Sequence, residues 1–232
     1  MYLLTETASP FALERWAAFF ANFGQFAKGF FYTLGISIGA LIVALLLGLI
    51  FGAMSSTHNK VLRGISRVYV EIFQNTPLLV QFVVVFYGIS ILTDGHIMIP
   101  ISLTAILCVG VYTGAYISEI IRTGIEAVPK GQTEAALSQG FTYADTMRII
   151  ILPQAVRTIL PPLTNQVVNL IKNTSTVGII SGADIMFTAK AWAYDTTNYV
   201  PAFAGAAFLY FIMCFPLATW ARRKEEENKK AY

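Results

Sequence analysis

Asn165, Asn169, Lys172 and Thr176 recur at i, i+4, i+7 and i+11 inside a largely apolar stretch. On a helix this spacing sets two carboxamides, an ammonium and a hydroxyl on one face, and such a face sits poorly against hydrocarbon. These groups bind rather than react: an ammonium meets a carboxylate, and carboxamides both donate and accept hydrogen bonds. For Lys172 two readings stand side by side, a contact with a passing solute or a permanent ion pair with Glu119 or Glu71. Glu119 lies three residues before Arg122, the spacing of an ordinary helical ion pair. Glu119, Gln81 and Gln166 are further candidates for the lining of a polar path, and Glu71, Gln74 and Asn75, just before Pro77, for a gate or an interfacial entry.

Nothing in the chain is arranged for catalysis. His58 and His96 flank different apolar segments and fall on opposite sides of them, which leaves no metal site. Cys108 and Cys214 lie inside apolar runs and read as packing residues. No Ser/His/Asp or Cys/His constellation is present. The chain lacks any Gly-Lys dipeptide, hence the loop that cradles nucleotide phosphates.

The elements that position these residues are membrane spans. Of the 232 residues, 56% are hydrophobic and only 12% charged, and the mean hydropathy is +0.62, so lipid is the expected solvent. The apolar stretches run on without alternation, which argues for helices over a β-barrel. Five segments have about the ~20 residues needed to cross a ~30 Å core: Phe30 to Met54, Val68 to Leu92, Ile99 to Ile121, Ala155 to Ile180, and Pro201 to Ala221. Pro77, Pro161 and Pro162 are expected to interrupt the second and the fourth. Before them, Ser9 to Lys28 carries Trp16, Phe19, Phe23 and Phe26 at helical spacing and reads as a short interfacial helix. The organisation expected is an extracytoplasmic or interfacial segment 1–29, a transmembrane domain 30–221 and a charged tail 222–232. No basic region followed by a short apolar run and a cleavage site opens the chain, so the first span is expected to do the targeting.

Five spans place the loops alternately on two sides. Twelve basic residues (Lys60, Arg63, Arg67, Arg122, Lys130, Arg148, Arg157, Arg222, Arg223, Lys224, Lys229, Lys230) share one side, and Arg15, Lys28 and Lys190 the other. By the positive-inside rule the C-terminus and the loop of about 122–154 are cytoplasmic and the N-terminus is outside. The net charge of +3 is small and shows no basic patch suited to nucleic acid. Small residues four apart (Gly35/Gly39, Gly48/Gly52, Gly110/Gly114, Gly178/Gly182) allow close helix contact.

The long cytoplasmic loop has structure of its own. Pro129 opens a first helix through Lys130, Glu134, Ala135, Ala136 and Gln139, and Gly140 is placed to end it in the left-handed conformation. Thr142 and Asp145 form a T-x-x-D capping box for a second short helix that Pro153 is expected to stop. Two small alanines beside a carboxylate suit close contact and one charge pair with a partner.

Glu134-Ala135-Ala136, Gly140, Ile150, Leu152 and Pro153 match E-A-A-x3-G-x9-I-x-L-P, and on this signature the chain resembles the importer permeases of the ATP-binding-cassette (ABC) superfamily. Thr76-Pro77-Leu78-Leu79-Val80-Gln81, Tyr116-Ile117-Ser118-Glu119-Ile120, Val128-Pro129-Lys130-Gly131-Gln132, Ile151-Leu152-Pro153-Gln154-Ala155 and Leu160-Pro161-Pro162 narrow the resemblance to the polar amino-acid branch. The resemblance implies an all-α, multi-pass protein of the bacterial inner membrane whose loop is a coupling helix. Glu134, Ala135, Ala136 and Gly140 would dock on a cytoplasmic ATPase, with Glu134 meeting a basic residue. It further implies two ATPase subunits that bind the ATP and Mg, a second permease chain, identical or homologous, and an external solute-binding protein. Amino acids such as glutamine or glutamate would pass between two permease chains by alternating access. The rival class is an ion-gradient-driven carrier or channel, which needs no docking loop and usually carries more intramembrane carboxylates. A membrane-bound scaffold is a third possibility.

Overall fold

Long apolar runs free of interior proline become long helices, and two of them carry the architecture. The structure, a computed structural model, describes Ser9 and residues 11–230; the expectations for residues 1–8, 10, 231 and 232 lie outside the described residues. Helix α1 spans Leu13–Ala21 and α2 Phe23–Ser55. After a turn come α3 at Lys60–Gln74, α4 at Leu78–Val83, a π-helical turn at Val84–Gly88 and α5 at Ile89–Leu92. Helix α6 runs Ile101–Glu126. The loop that follows holds α7 at Lys130–Ser138 and α8 at Tyr143–Asp145, and a second π-helical turn, Thr146–Ile151, leads into α9 at Leu152–Asn173. A 3-10 stretch at Thr174–Ile180, α10 at Ile185–Thr196 and α11 at Tyr199–Lys230 complete the described chain.

Helices α2 and α6 lie parallel and close. Going along both from their N-termini, Gly39 meets Ile106, Gly48 meets Ile117 and Gly52 meets Ile121, while Val43 and Leu47 press on Gly110 and Gly114. A Cβ built on Gly48 would stand 2.4 Å from Cγ2 of Ile117, and one on Gly110 2.7 Å from Cβ of Val43. Only glycine permits that approach, which is the small-residue packing of membrane helices. Gly35 faces open space and Gly178 makes ordinary contacts, so the seam uses two of the four expected pairs whole and one by half.

Among the described residues, three helices are long and apolar enough to cross a membrane: Phe23–Ser55, Ile101–Glu126 and Tyr199–Arg223. The second expected span is broken, with α3 and the helical segment Leu78–Leu92 bent by 97°. Pro77 lacks the N–H that would continue α3 and biases Thr76 away from the helical region. The fourth expected span is mostly one 22-residue helix, α9, that continues through Pro161 and Pro162 rather than being interrupted by them; the span's last seven residues, Thr176 among them, form the 3-10 stretch. Helix α9 is long enough to cross, at about 33 Å, but its polar face keeps it out of the apolar class. In the interfacial segment, Asn22 splits the expected helix, and Phe23 to Lys28 already belong to α2. Phe19 and Phe26 are buried and pack on Trp192 of α10, with ring centroids 6.0 and 5.7 Å away. The aromatic face expected to meet the interface is thus partly spent on the core, leaving Leu13, Phe20 and Phe23 exposed.

Candidate functional site

The loop between α6 and α9 is rigid by its own hydrogen bonds. Gly140 has φ +89°, the region that costs a residue with a Cβ. Its N–H donates to Leu137 O at 3.0 Å, and that of Phe141 to Ala136 O at 3.1 Å, the pair of bonds that closes a Schellman C-cap. The Thr142 hydroxyl accepts from Asp145 N at 3.2 Å, as the capping pattern predicts, and donates to Asp145 Oδ2 at 2.6 Å, a side-chain bond where the full box has one to the Thr142 backbone N–H. On α7, Glu134, Ala135 and Leu137 are exposed, but Ala136 is only 4% exposed. Of the two alanines expected at a docking surface, one faces outward and the other seats the helix on its own loop.

Pro153 does not stop the second helix. The chain passes from α8 through the π-helical turn Thr146–Ile151 into α9 without leaving helical geometry. Pro153 falls in the first turn of α9, where its missing N–H costs little, and the wider π turn takes up the register change before it. The Gln154 amide donates to Ile150 O at 2.8 Å and lies 3.5 Å from Gln132 Oε1. Two segments that carry the family resemblance, Val128–Gln132 and Ile151–Ala155, therefore touch, which ties α7 to the start of α9. His58 from the α2–α3 turn packs on Tyr143 with its ring tilted, centroids 5.0 Å apart and planes at 54°.

Helix α9 packs between α6 and α11 and leaves most of its polar stripe exposed. Asn165, Asn169 and Lys172 are exposed and Thr176 is half-buried; Gln166 is half-buried beside them. The two carboxylates considered as permanent partners of Lys172 are engaged elsewhere, Glu71 with Arg67 at 3.8 Å and Glu119 with Arg122. Arg122 Nε donates to Glu119 Oε2 at 2.9 Å and Nη1 to Glu126 Oε2 at 2.6 Å. Glu119 thus belongs to an ion-pair cluster at the C-terminal end of α6, apart from the α9 stripe. Gln81 is spent on the break in the second span: its amide nitrogen donates to Thr76 Oγ1 at 2.8 Å and to the carbonyls of Phe73 and Thr76 at 3.2 Å. Asn75 likewise folds back on Glu71, donating to its carbonyl at 2.8 Å and its carboxylate at 3.0 Å.

A buried carboxylate escaped the sequence reading. Asp184 is fully buried and caps α10, accepting from Met186 N at 3.1 Å and Phe187 N at 3.0 Å. The Tyr210 hydroxyl of α11 donates to it at 3.1 Å, and Ile185 N donates to Thr33 Oγ1 of α2 at 3.1 Å. Gly29 is required beside it, since a Cβ there would lie 3.2 Å from Asp184 O. An Asp just ahead of the run Ile185-Met186-Phe187 was a readable cap signal. Its burial between α2 and α11 was not.

A bundle of long apolar helices with one projecting, self-capped helical loop and one exposed polar helix face defines the membrane subunit of a transporter driven by a partner. The chain matches, over residues 44–225, the family described as binding-protein-dependent transport system inner membrane component, and it belongs to that family. The "Probable glutamine ABC transporter permease protein GlnM" of Bacillus subtilis (strain 168) is 37% identical over 216 residues, covering 92% of this chain and 97% of the relative. The "Glutamate/aspartate import permease protein GltJ" of Escherichia coli (strain K12) is 34% identical over 208 residues, 82% of this chain and 85% of the relative. A crystal structure of an amino acid ABC transporter superposes with a TM-score of 0.84 at 31% identity, covering 91% of this chain and 98% of that one. An inward-facing MetNI methionine ABC transporter shares the fold, with a TM-score of 0.69 at 16% identity over 88% of this chain and 98% of that one. The protein is therefore a permease subunit, a transport component, with ATP hydrolysis in a separate subunit.

Proposed function

We propose that this chain, paired with a second permease chain, forms the path of an importer for polar amino acids such as glutamine or glutamate in the bacterial inner membrane. An external solute-binding protein delivers the solute, and two cytoplasmic ATPases supply ATP and Mg. The orientation that suits this has the N-terminus outside and the α6–α9 loop and C-terminus in the cytoplasm. Relatives named for glutamine and for glutamate/aspartate support the solute class. The observation that carries the mechanism is continuity: α7 exposes Glu134 and Ala135, its Gln132 lies against Gln154, and Gln154 opens the helix that bears Asn165, Asn169 and Lys172. A push on α7 is transmitted to the polar stripe through helix, a chain rigid enough to move as one piece.

In this reading Glu134 pairs with a basic residue of the ATPase, Ala135 allows the close approach, and Ala136 and Gly140 hold the shape of the docking element. The α9 stripe lines the path, with the Lys172 ammonium available to a solute carboxylate and the carboxamides to either end of a zwitterion. Glu119 and Gln81 border the path as framework and do not touch solute. The test is recovery of a Walker-motif ATPase with the tagged chain from native membranes, alongside ATP-dependent uptake. Both are expected for the natural chain. A solitary chain that takes up amino acids without ATP would overturn the proposal in favour of an ion-driven carrier.

A further inference from the structure

Helix α3 divides into three sectors around its axis at 3.6 residues per turn. Ser66 and Tyr69 form the packed sector: the Ser66 hydroxyl donates to Phe51 O and that of Tyr69 to Val111 O, both at 2.7 Å, and Tyr69 stacks on Phe51 with centroids 4.1 Å apart. On one side of that sector Val61, Ile65, Val68 and Ile72 follow i, i+4, i+7, i+11 and are 69, 49, 59 and 52% exposed. On the other, Lys60, Arg63, Arg67 and Glu71 follow i, i+3, i+7, i+11 and are exposed too. Three cations and one anion, with Glu71 paired to Arg67 at 3.8 Å, leave this stripe with an excess of positive charge, and the cleft it borders adds Glu119, Arg122, Glu126 and Lys130, whose charges cancel.

A helix whose opposite flanks are a bare aliphatic stripe and a cationic stripe marks the direction of a water–hydrocarbon boundary. Its placement agrees. The Gln74 amide donates to Ala115 O at 3.2 Å, and Ala115 lies seven residues, about 10 Å, up α6 from Arg122 in the charged cluster. The segment Leu78–Leu92 leaves α3 at 97° and covers about 22 Å. The two lengths together make about 32 Å, close to a ~30 Å hydrocarbon core. Helix α3 therefore fits in the plane of one leaflet, on the side of the α6–α9 loop, while the segment after Pro77 crosses the remainder.

We propose that α3 is an in-plane lipid-binding helix. Its aliphatic stripe lies among acyl chains, and Lys60, Arg63 and Arg67 hold the phosphate of an anionic phospholipid of that leaflet. The site is cytoplasmic if the orientation proposed above is right, and its chemistry is independent of the solute carried. Charge complementarity selects the occupant: a zwitterionic headgroup brings no net charge to the cationic stripe, whereas phosphatidylglycerol does, and its acyl chains cover the adjoining Val61, Ile65, Val68 and Ile72.

The full chain, purified after reconstitution in vesicles of equal parts phosphatidylglycerol and phosphatidylcholine, is extracted mildly and its retained lipid quantified. Phosphatidylglycerol is expected to be enriched over the bulk ratio, and the enrichment to fall roughly fivefold or more in K60Q/R63Q/R67Q. Equal enrichment in both proteins, or its removal by inorganic phosphate alone, would overturn the proposal. A nitroxide at Val68→Cys, in a chain with Cys108 and Cys214 changed to Ala, gives an independent reading in otherwise intact protein. It should collide with oxygen and be shielded from a water-soluble nickel complex, with the reverse at Arg67→Cys; a Val68 label shielded from both would mean that a second protein chain covers the stripe, and would equally overturn it.

Discussion

The α2–α6 seam and the α7–α9 arm are built from the same resources, helices and a few glycines, for opposite ends. In the seam, Gly48, Gly52, Gly110 and Gly114 admit the bulk of Ile117, Ile121, Val43 and Leu47, and nothing polar is exposed there to do chemistry. In the arm, a Cβ on Gly140 would meet no atom within 4 Å and the glycine serves to turn the chain, while Glu134, Asn165, Asn169 and Lys172 stand exposed. The seam is a fixed wall that a change of volume breaks. The arm is a lever whose value lies in what it leaves unpaired. Substitutions should therefore separate the two: in the seam they cost stability first, in the arm they cost transport first.

The largest effect is expected from Gly48→Val. Its Cβ would meet Ile117 at 2.4 and 2.6 Å, and the packed parallel helix cannot yield without opening the seam, so overpacking of about 1–3 kcal/mol or more follows. The folded chain should largely vanish from membranes, read as its yield and its thermal stability in detergent. A Gly48→Val chain as stable as the natural one would erase the contrast. Glu134→Lys comes next. Reversing an exposed charge should leave abundance and melting unchanged while lowering ATP-dependent uptake about tenfold or more, the loss of a charge-assisted contact. Normal uptake in that variant would remove the docking role from α7.

The seam was half legible in the sequence, and the loop more so. Gly-x3-Gly spacing pointed to Gly48/Gly52 and Gly110/Gly114, but at Gly178/Gly182 only Gly182 is tightly placed, against Val177 and Ile101 and away from the seam, because spacing does not say which neighbour a glycine meets. The Gly140 turn and the Thr142–Asp145 cap were readable because both are local. Pro153 misled because a π turn ahead of it lets the helix run on, and nothing local announces a π turn. The 97° break at Pro77 was marked by the proline but not its consequence, that Gln81 would be consumed in tying Phe73 and Thr76 together. Asp184 was hidden because the groups that enclose it, Gly29 of α2 and its partner Tyr210 of α11, are far away along the chain. Lys172 is the reverse case: sequence left its ion pair open, and the structure gives Glu71 and Glu119 to arginines.

Lys172→Met sharpens the comparison within the arm. The substitution keeps length and removes charge from an exposed position, so stability should hold while half-saturating solute concentration rises roughly tenfold or less, the worth of about one hydrogen bond. Unchanged transport kinetics would return Lys172 to the framework and leave Asn165 and Asn169 as the candidates on that face.

Thr142→Ala should have the smallest effect and is the most discriminating. Its hydroxyl makes two local bonds to Asp145, one to N–H and one to carboxylate, and removing an N-cap costs about 1 kcal/mol. That loss falls between α7 and α9, where the lever bends, and touches neither Glu134 nor Lys172. If the arm works as one rigid piece, amide exchange should quicken through residues 143–151 and ATP-driven uptake should drop a few-fold, with the ATPase still recovered and the melting temperature little changed. Faster exchange with undiminished uptake would mean that the connection through residues 143–151 need not be stiff, and the force would then reach the polar stripe through the Gln132–Gln154 contact alone.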